Sequence, residues 1–444
     1  MPEQAKRSIW ALLFRIALIA ALLLAALVGW YVTGPASAVP YINRDGVPES
    51  AWPELTATTV QDLPLSCSFV ARDITDPETG KRPHRNHTYL AKHDGQYFIM
   101  FSYWYGAEDK PGQVIRYAIS DDGMAWSEPK LLASPKEGHG LVARGFAQRD
   151  GKLFGQYATH DGKGVFQDIQ EETGNSLAMI EAEWLGAENG WGPERAMLDG
   201  YINNYPARTF DGQLAMGLRD RFRQTYLGTS DDDGQTWQIS ARMPVPDLPD
   251  DGEQGLVLPD EPIIADYADG EATVMLRNNS PWDGRLWAAN LGADDAWSQP
   301  YPLAFPSDTS KFFPFKLAGG TTAMVGNFDP TVRRALMHIA LSDDGKNYDR
   351  LYRLALDGQY GNFRWRSPQY PHVIVDGDTM LLGASYGKYA ITVCKAPATA
   401  AALEEQSEFK LVPRLAQGIC SKNHPQFLRR LFGYMGCVEH FVWG

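Results

Sequence analysis

The chain has 444 residues, with 41 Lys and Arg against 54 Asp and Glu and a formal charge of −13. That length suits one large or two medium domains, and the ordinary apolar content supports a sizeable core. No Lys/Arg block is present, so a nucleic-acid partner is not expected; an anionic substrate remains compatible, because a local arginine cluster overrides the average field. The 13 Trp and 20 Tyr suit packed sheets and sugar-binding surfaces alike.

At the N-terminus, Lys6 and Arg7 precede an apolar stretch interrupted only by Arg15, and nothing from Ile16 to Val32 is charged. Ala36-Ser37-Ala38 then offers an A-x-A cleavage pattern. Residues 1–38 therefore read as a signal peptide or a membrane anchor. The basic residues before the apolar run keep the N-terminus in the cytoplasm, so the remainder is translocated. The expected location is periplasmic or extracellular, with the membrane as a partner if the leader is retained. In that oxidising setting Cys67, Cys394, Cys420 and Cys437 allow three disulfide pairings, between which the sequence does not choose. No Cys/His spacing resembles a zinc site, no loop matches a calcium pattern, and no glycine-rich phosphate loop is present. Neither a metal nor a cofactor is expected.

Residues 39–64 are rich in Pro, Thr and Ala and read as a linker. From 65 to 397 one theme repeats. A short apolar strand leads into an Asp-Gly turn, further strands follow, and a polar turn closes on Trp or Tyr. The early turns are centred on Asp94-Gly95, Asp150-Gly151, Asp211-Gly212, Asp269-Gly270 and Asp376-Gly377. Asp-Gly between alternating apolar residues is a hairpin signal, because Gly supplies the positive φ the turn needs. The later turn is Ser230-Asp231-Asp232-Asp233-Gly234-Gln235-Thr236-Trp237, with shorter versions at Ser120–Trp126 and Ser342–Tyr348 and degenerate ones ending at Trp191 and Trp297. In such a turn Asp and Ser bond the backbone, Gly takes the left-handed position, and the aromatic packs between sheets. Repetition at this spacing predicts propeller blades. They fall at about 85–130, 140–197, 200–242, 258–302, 310–352 and 365–397, with a strand near Cys67 closing the ring. Residues 398–444 form a tail, with a short helix expected over Ala398–Glu408.

The S-x-D-x-G-x-T-W turn is the Asp-box, and its recurrence resembles the sialidase superfamily over residues 85–397. The resemblance implies an all-β, six-bladed propeller whose catalytic groups come from many blades. It also implies three arginines on a substrate carboxylate, a Tyr nucleophile assisted by a Glu, and an Asp as acid/base. Tyr makes sense where the anomeric carbon bears a carboxylate that would repel an anionic nucleophile, and arginine forks supply charge-assisted contacts to that anion. Carried over, Tyr370 is the nucleophile, Glu261 its base and Asp109 the acid/base. Arg85, Arg277 and Arg334, or its neighbour Arg333, bind the carboxylate, and Arg285 belongs to the same set. Arg85 sits in Arg85-Asn86-His87, where the family has Arg-Ile-Pro. A second set does not fit: His87, His139, Arg144, Tyr205, Arg208 and His372 stand at strand starts. They suit a uronate-directed lyase, in which a base removes the proton α to the carboxylate and an Arg neutralises it. The sequence thus points to an exo-acting glycoside hydrolase on acidic oligosaccharides or polysaccharides. A β-eliminating polysaccharide lyase centred on His87 and a non-catalytic glycan-binding or assembly propeller are the alternatives.

Overall fold

The computed structural model describes residues 39–407, apart from 41, 72–79, 81, 107, 162–176, 246–258, 280–282, 331–333, 335 and 357–367, together with three positions of the N-terminal segment. The expected leader therefore lies almost wholly outside the described residues, as do Arg333, Cys420 and Cys437. No helix among the described residues is long and apolar enough to cross a membrane.

The described chain is all-β, and its strands group by nearness in sequence. Strands β3 (His84–His93), β4 (Gln96–Trp104), β5 (Val114–Ser120) and β6 (Lys130–Ala133) form one meander, and β7 (Gly140–Arg149) to β10 (Arg195–Asp199) the next. A five-stranded sheet follows from β11 (Tyr201–Asn203) to β15 (Gln238–Ile239), with β13 (Gln213–Asp220) at its centre. Then comes the four-stranded set β16 (Pro259–Ala268), β17 (Glu271–Asn278), β18 (Arg285–Leu291) and β19 (Tyr301–Pro306).

An eight-stranded sheet completes the fold. It contains β20 (Phe313–Lys316), β21 (Thr322–Gly326), β22 (His338–Ser342), β24 (Arg350–Leu356), β25 (Pro368–Asp376), β26 (Thr379–Tyr386) and β27 (Ala390–Pro397). The eighth strand is β2 (Val60–Ala71), which serves two neighbours. Its first half runs parallel to β24, from Val60↔Leu351 to Leu65↔Leu356, and its second half runs antiparallel to β27, from Ser66↔Lys395. Cys67 faces Cys394 across that second ladder, and the two form a disulfide. The segment near Cys67 is thereby fastened to the last strand among the described residues. Part of the stretch read as a linker, 39–64, is built into the fold. A short strand β1 (Glu54–Leu55) runs parallel to β23 (Asn347–Tyr348), and β2 starts at Val60. The expected short helix is α1 (Ala400–Gln406), with the Thr399 hydroxyl accepting from the Ala402 amide.

The turns behave as their residues dictate. Asp94-Gly95, Asp150-Gly151, Asp211-Gly212 and Asp269-Gly270 each place both residues at positive φ, between 45° and 84°. This is the type I′ geometry that matches the twist of a two-residue hairpin. In the full Asp-box the Asp232 carboxylate accepts from the Thr236 amide (2.8 Å) and hydroxyl (2.6 Å), while the Gly234 amide donates to Ser230 Oγ (2.8 Å). These bonds favour the ionised form and draw the Asp232 pKa down to about 2. Asp122 and Asp344 do the same in the shorter copies, bonding Met124 and Ala125, and Lys346 and Asn347. The aromatic residues do pack between sheets: Trp184 and Trp191 of the second sheet meet Phe98 and Tyr117 of the first at ring separations of 5.3–5.7 Å.

Candidate active site

The first strands of several sheets begin with a buried run, and in four of them the ladder shifts register near the same place. The shift falls between Asn86 and Tyr89 in β3, between Ala143 and Gly145 in β7, between Asp260 and Ile263 in β16 and between Gln369 and His372 in β25. At three of them the bulged residue has a positive φ: His87 (55°), Glu261 (54°) and Tyr370 (57°). In the fourth, Gly145 at 114° follows Arg144, and a Cβ there would lie 2.1 Å from Pro206. Left-handed backbone is costly for a residue bearing a Cβ and persists where the surroundings enforce it, which is common at functional sites. A bulge re-aims a side chain out of the ladder. The repeated device thus turns one chemically active residue per strand away from its sheet and brings several of them together.

Tyr370 is the hub, and it is only 6% exposed. The His87 ring stacks on it at 5.5 Å and 22°. Lys388 Nζ, Lys311 Nζ and Arg334 Cζ lie 5.7, 5.8 and 5.9 Å from its ring centroid, so three cations from different loops converge on one aromatic ring. Arg334 is fixed by Gln369 Oε1 (2.7 Å) and by the Thr309 carbonyl.

Glu261 faces the same space. Arg277 Nη1 donates to its Oε2 at 2.5 Å, and Arg219 Nη2 and Lys311 Nζ lie 3.4 and 3.8 Å from its Oε1. Burial alone would raise its pKa, but Arg277, Lys311 and Arg219 outweigh burial and hold Glu261 ionised, well below the usual carboxylate range. Asp260, one residue earlier, accepts from Arg219 Nη1 with both oxygens at 2.9 Å.

The loop between β4 and β5 supplies Glu108 and Asp109, which reach the centre through His87 and Lys388. Glu108 is 3.0 Å from His87 Nε2 and 2.5 Å from Lys388 Nζ. Lys388 and His87 overcome the effect of burial, so Glu108 is held ionised. Asp109 behaves oppositely. Burial, reinforced by the charge of Glu108, pushes its pKa up to about 7, so the site holds one carboxylate fixed as an anion beside one able to donate a proton near neutrality. His87 is neutral: burial, and then Lys311, draw its pKa down to about 3. His87, Glu108 and Asp109 each place a ligand atom within 4.8 Å of the others, but Lys388 already neutralises Glu108 there.

Of the residues singled out in the sequence, Tyr370, Glu261, Asp109, His87, Arg277 and Arg334 are gathered in this centre. Arg85 and Arg285 are anchored elsewhere. The Arg85 guanidinium donates to the Tyr389 carbonyl and lies 5.5 Å from the Tyr103 ring; the bulge presents His87, two residues on, to the centre instead. Arg285 binds Asp283 and the Asp45 carbonyl (2.6 Å), tying the early segment to β18. Tyr205 stacks on His372 (6.1 Å, 20°) and donates to the Pro371 carbonyl, and Arg208 donates to the carbonyls of Pro314 and Ile264, so this trio braces the strands around Tyr370. Sequence reasoning missed Glu108, Arg219, Lys311 and Lys388. Arg219 had a signal: Leu218-Arg219-Asp220 at the end of β13 matches Leu276-Arg277-Asn278 at the end of β17.

A family model described as a BNR repeat-like domain matches residues 107–382, more than half of the chain. No curated protein matches. Among solved structures, a protein of unknown function from Dyadobacter fermentans is 14% identical with a TM-score of 0.54, over 74% of this chain and 97% of that one. A Trypanosoma rangeli sialidase mutant displaying trans-sialidase activity is 12% identical with a TM-score of 0.52, over 84% of this chain and 59% of that one. The NanB sialidase from Streptococcus pneumoniae is 10% identical with a TM-score of 0.52, over 72% of this chain and 70% of that one. The chain spans 35% of another sialidase. At these identities the likeness is one of fold.

Proposed function

Because the chain belongs to the BNR repeat-like family, whose match spans the strands that build the centre, we propose that it is a six-bladed propeller acting as an exo-glycoside hydrolase on acidic glycans outside the cytoplasm. The blade count follows from assigning the two halves of β2 to different blades, which divides the eight-stranded sheet in two. The observation that carries the activity is the convergence of Tyr370, Glu261 and Asp109 from separate strands and loops onto one buried, cation-rich centre. The solved sialidases of similar fold favour a glycan as partner.

In this reading Tyr370 Oη attacks the anomeric carbon and forms a glycosyl–tyrosine bond. Glu261, held ionised by Arg277, accepts the phenol proton, and Lys311 lies near both. Asp109 gives its proton to the departing oxygen and then takes one from the water that releases the sugar. Arg277, Arg334, Lys311 and Lys388 supply the positive field that selects an acidic sugar. The reaction needs no metal.

The lyase alternative rests on His87, which is neutral and therefore able to accept a proton. Glu108 on Nε2 leaves Nδ1 as the accepting nitrogen of His87, but that atom is buried and the ring is stacked against Tyr370; the hydrolase is favoured because Asp109 is instead poised to donate. Incubation of the exported domain with sialosides and uronate-containing oligosaccharides separates the readings. Free acidic sugar is expected, with Tyr370→Phe lowering turnover by roughly 10³-fold or more. Unsaturated, ultraviolet-absorbing products, or full activity in Tyr370→Phe, would overturn the hydrolase.

A further inference from the structure

The charges around Glu261 do not balance. Four cations surround it: Arg277, Arg219 and Lys311 at 2.5, 3.4 and 3.8 Å, and Arg144, whose charge interacts with that of Glu261. Glu261 offsets one of them and Asp260, bound to Arg219, a second. Asp109, pushed towards its neutral form, offsets little more. About two positive charges are left over in a buried place, where an unpaired ion is strongly disfavoured.

The surplus has an address. Arg144 and Lys311 are each 1% exposed. Arg144 Nε and Nη1 and Lys311 Nζ have no hydrogen-bond partner. Their neighbours are otherwise engaged, Arg277 by Glu261 and Arg219 by Asp260. Arg144 also stands at the bulge before Gly145, the same device that presents Tyr370 and Glu261 to the centre.

We propose that Arg144 and Lys311 form an anion-binding site at the ring centre, beside Glu261 and Tyr370, that takes an oxyanion carried by the glycan, either a carboxylate or a sulfate ester. Two buried cations with three free donor atoms match an oxyanion's acceptors, and a bound anion would supply the missing negative charge. In the empty protein the strain shows at Lys311. Burial draws its pKa down to about 7; Glu261 opposes the fall, and Arg144, Arg219 and Arg277 deepen it. Tyr205 and Tyr370 cover the ammonium with ring faces, and His87 senses its charge. An oxyanion would keep Lys311 protonated, so binding is expected to take up a proton and to weaken as pH rises from 6 to 8.

The ligand's identity rests on the glycan reading of this centre; the binding itself requires no turnover. The test is calorimetric titration of the purified protein with N-acetylneuraminate, D-glucuronate and N-acetylglucosamine 6-sulfate, with neutral N-acetylglucosamine as control. Wild type is expected to bind at least one acidic sugar. Lys311→Met and Arg144→Met should each weaken that binding tenfold or more, and Lys311→Met should reduce its pH dependence between 6 and 8 to the part set by Asp109. Both substitutions delete a surplus buried charge, so the melting temperature of the empty protein should stay level or rise, which separates loss of a site from loss of the fold. Unchanged affinity with a lowered melting temperature would show that the cations are structural and overturn the site, as would failure of all three acidic sugars to bind. Binding that depends on Lys311, with no turnover of glycosides of the bound sugar, would preserve the site and sink the hydrolase. Turnover indifferent to Lys311→Met would do the reverse.

Discussion

The opposed carboxylates Glu108 and Asp109 make the sharpest prediction. Asp109 is held near neutrality first by burial and next by the charge of Glu108, with ligand atoms no more than 4.8 Å apart. At an effective dielectric of about 20, a charge at that distance is worth roughly 3 kcal/mol, and allowing for the partial exposure of Asp109 leaves about one pH unit. Glu108→Gln removes that charge while keeping the side chain's shape. It also frees Lys388, whose charge lowers the Asp109 pKa, so both consequences act in the same direction. Asp109 must be protonated to serve as an acid, so kcat/KM of wild type should fall as pH rises through about 7. In Glu108→Gln that limb should begin about one unit lower. Asp109→Asn should lose roughly 10²-fold or more of the activity and keep only the part of the limb that Lys311 sets. Infrared titration of the carboxyl band, comparing wild type with Asp109→Asn, reads the same pKa without any substrate. A limb that stays put or moves upward in Glu108→Gln would refute the account of Asp109 as a proton donor tuned by its neighbour.

Two further outcomes concern stability. Burial draws His84, His87, His160, His338 and His372 down to pKa values of about 3 to 4. The unfolded chain takes up protons at these residues from about pH 6.5 downward while the folded chain does not, so stability falls through that window by up to about 1.4 kcal/mol per pH unit for each histidine. Melting followed from pH 7 to pH 4 should show a progressive decline, and a flat profile would refute it. The Cys67–Cys394 bond fastens β2 to β27 across 327 residues of sequence. Replacing both cysteines by Ala should cost about 2–4 kcal/mol, read as a lower melting temperature, with reductant giving the same shift in wild type only.

The blades were legible because their turns are local. An Asp-Gly hairpin and an Asp-box are each determined within a few residues, by the left-handed freedom of Gly and by side chains that bond the adjacent backbone. The hydrogen bonds of Asp122, Asp232 and Asp344 repeat that local logic in three places. The pairing of Cys67 was not legible, since a strand that runs parallel to β24 and then antiparallel to β27 is decided by contacts between segments far apart in sequence, 327 residues for Cys67 and Cys394.

The centre was legible where a motif reached it, as with Glu261-Pro262 and Tyr370-Pro371, and misleading where the bulge mattered. Arg85 carries the sequence likeness, yet the register shift between Asn86 and Tyr89 aims His87 at Tyr370 and leaves Arg85 on the Tyr389 carbonyl. One residue of offset decides which side chain a strand contributes. Lys311 and Lys388 lie in no motif at all; they are defined by what surrounds them, an anionic Glu261 for one and an anionic Glu108 for the other. Lys388 is closely paired and its pKa is held above the usual lysine value by Glu108. Lys311 has only a 3.8 Å contact with a carboxylate already claimed by Arg277. Two lysines beside the same tyrosine ring are thus driven in opposite directions, and the difference is the availability of an anion. On that ground Lys388 is a fixed support of the centre, whereas Lys311 is the cation to which we assign the proposed anion.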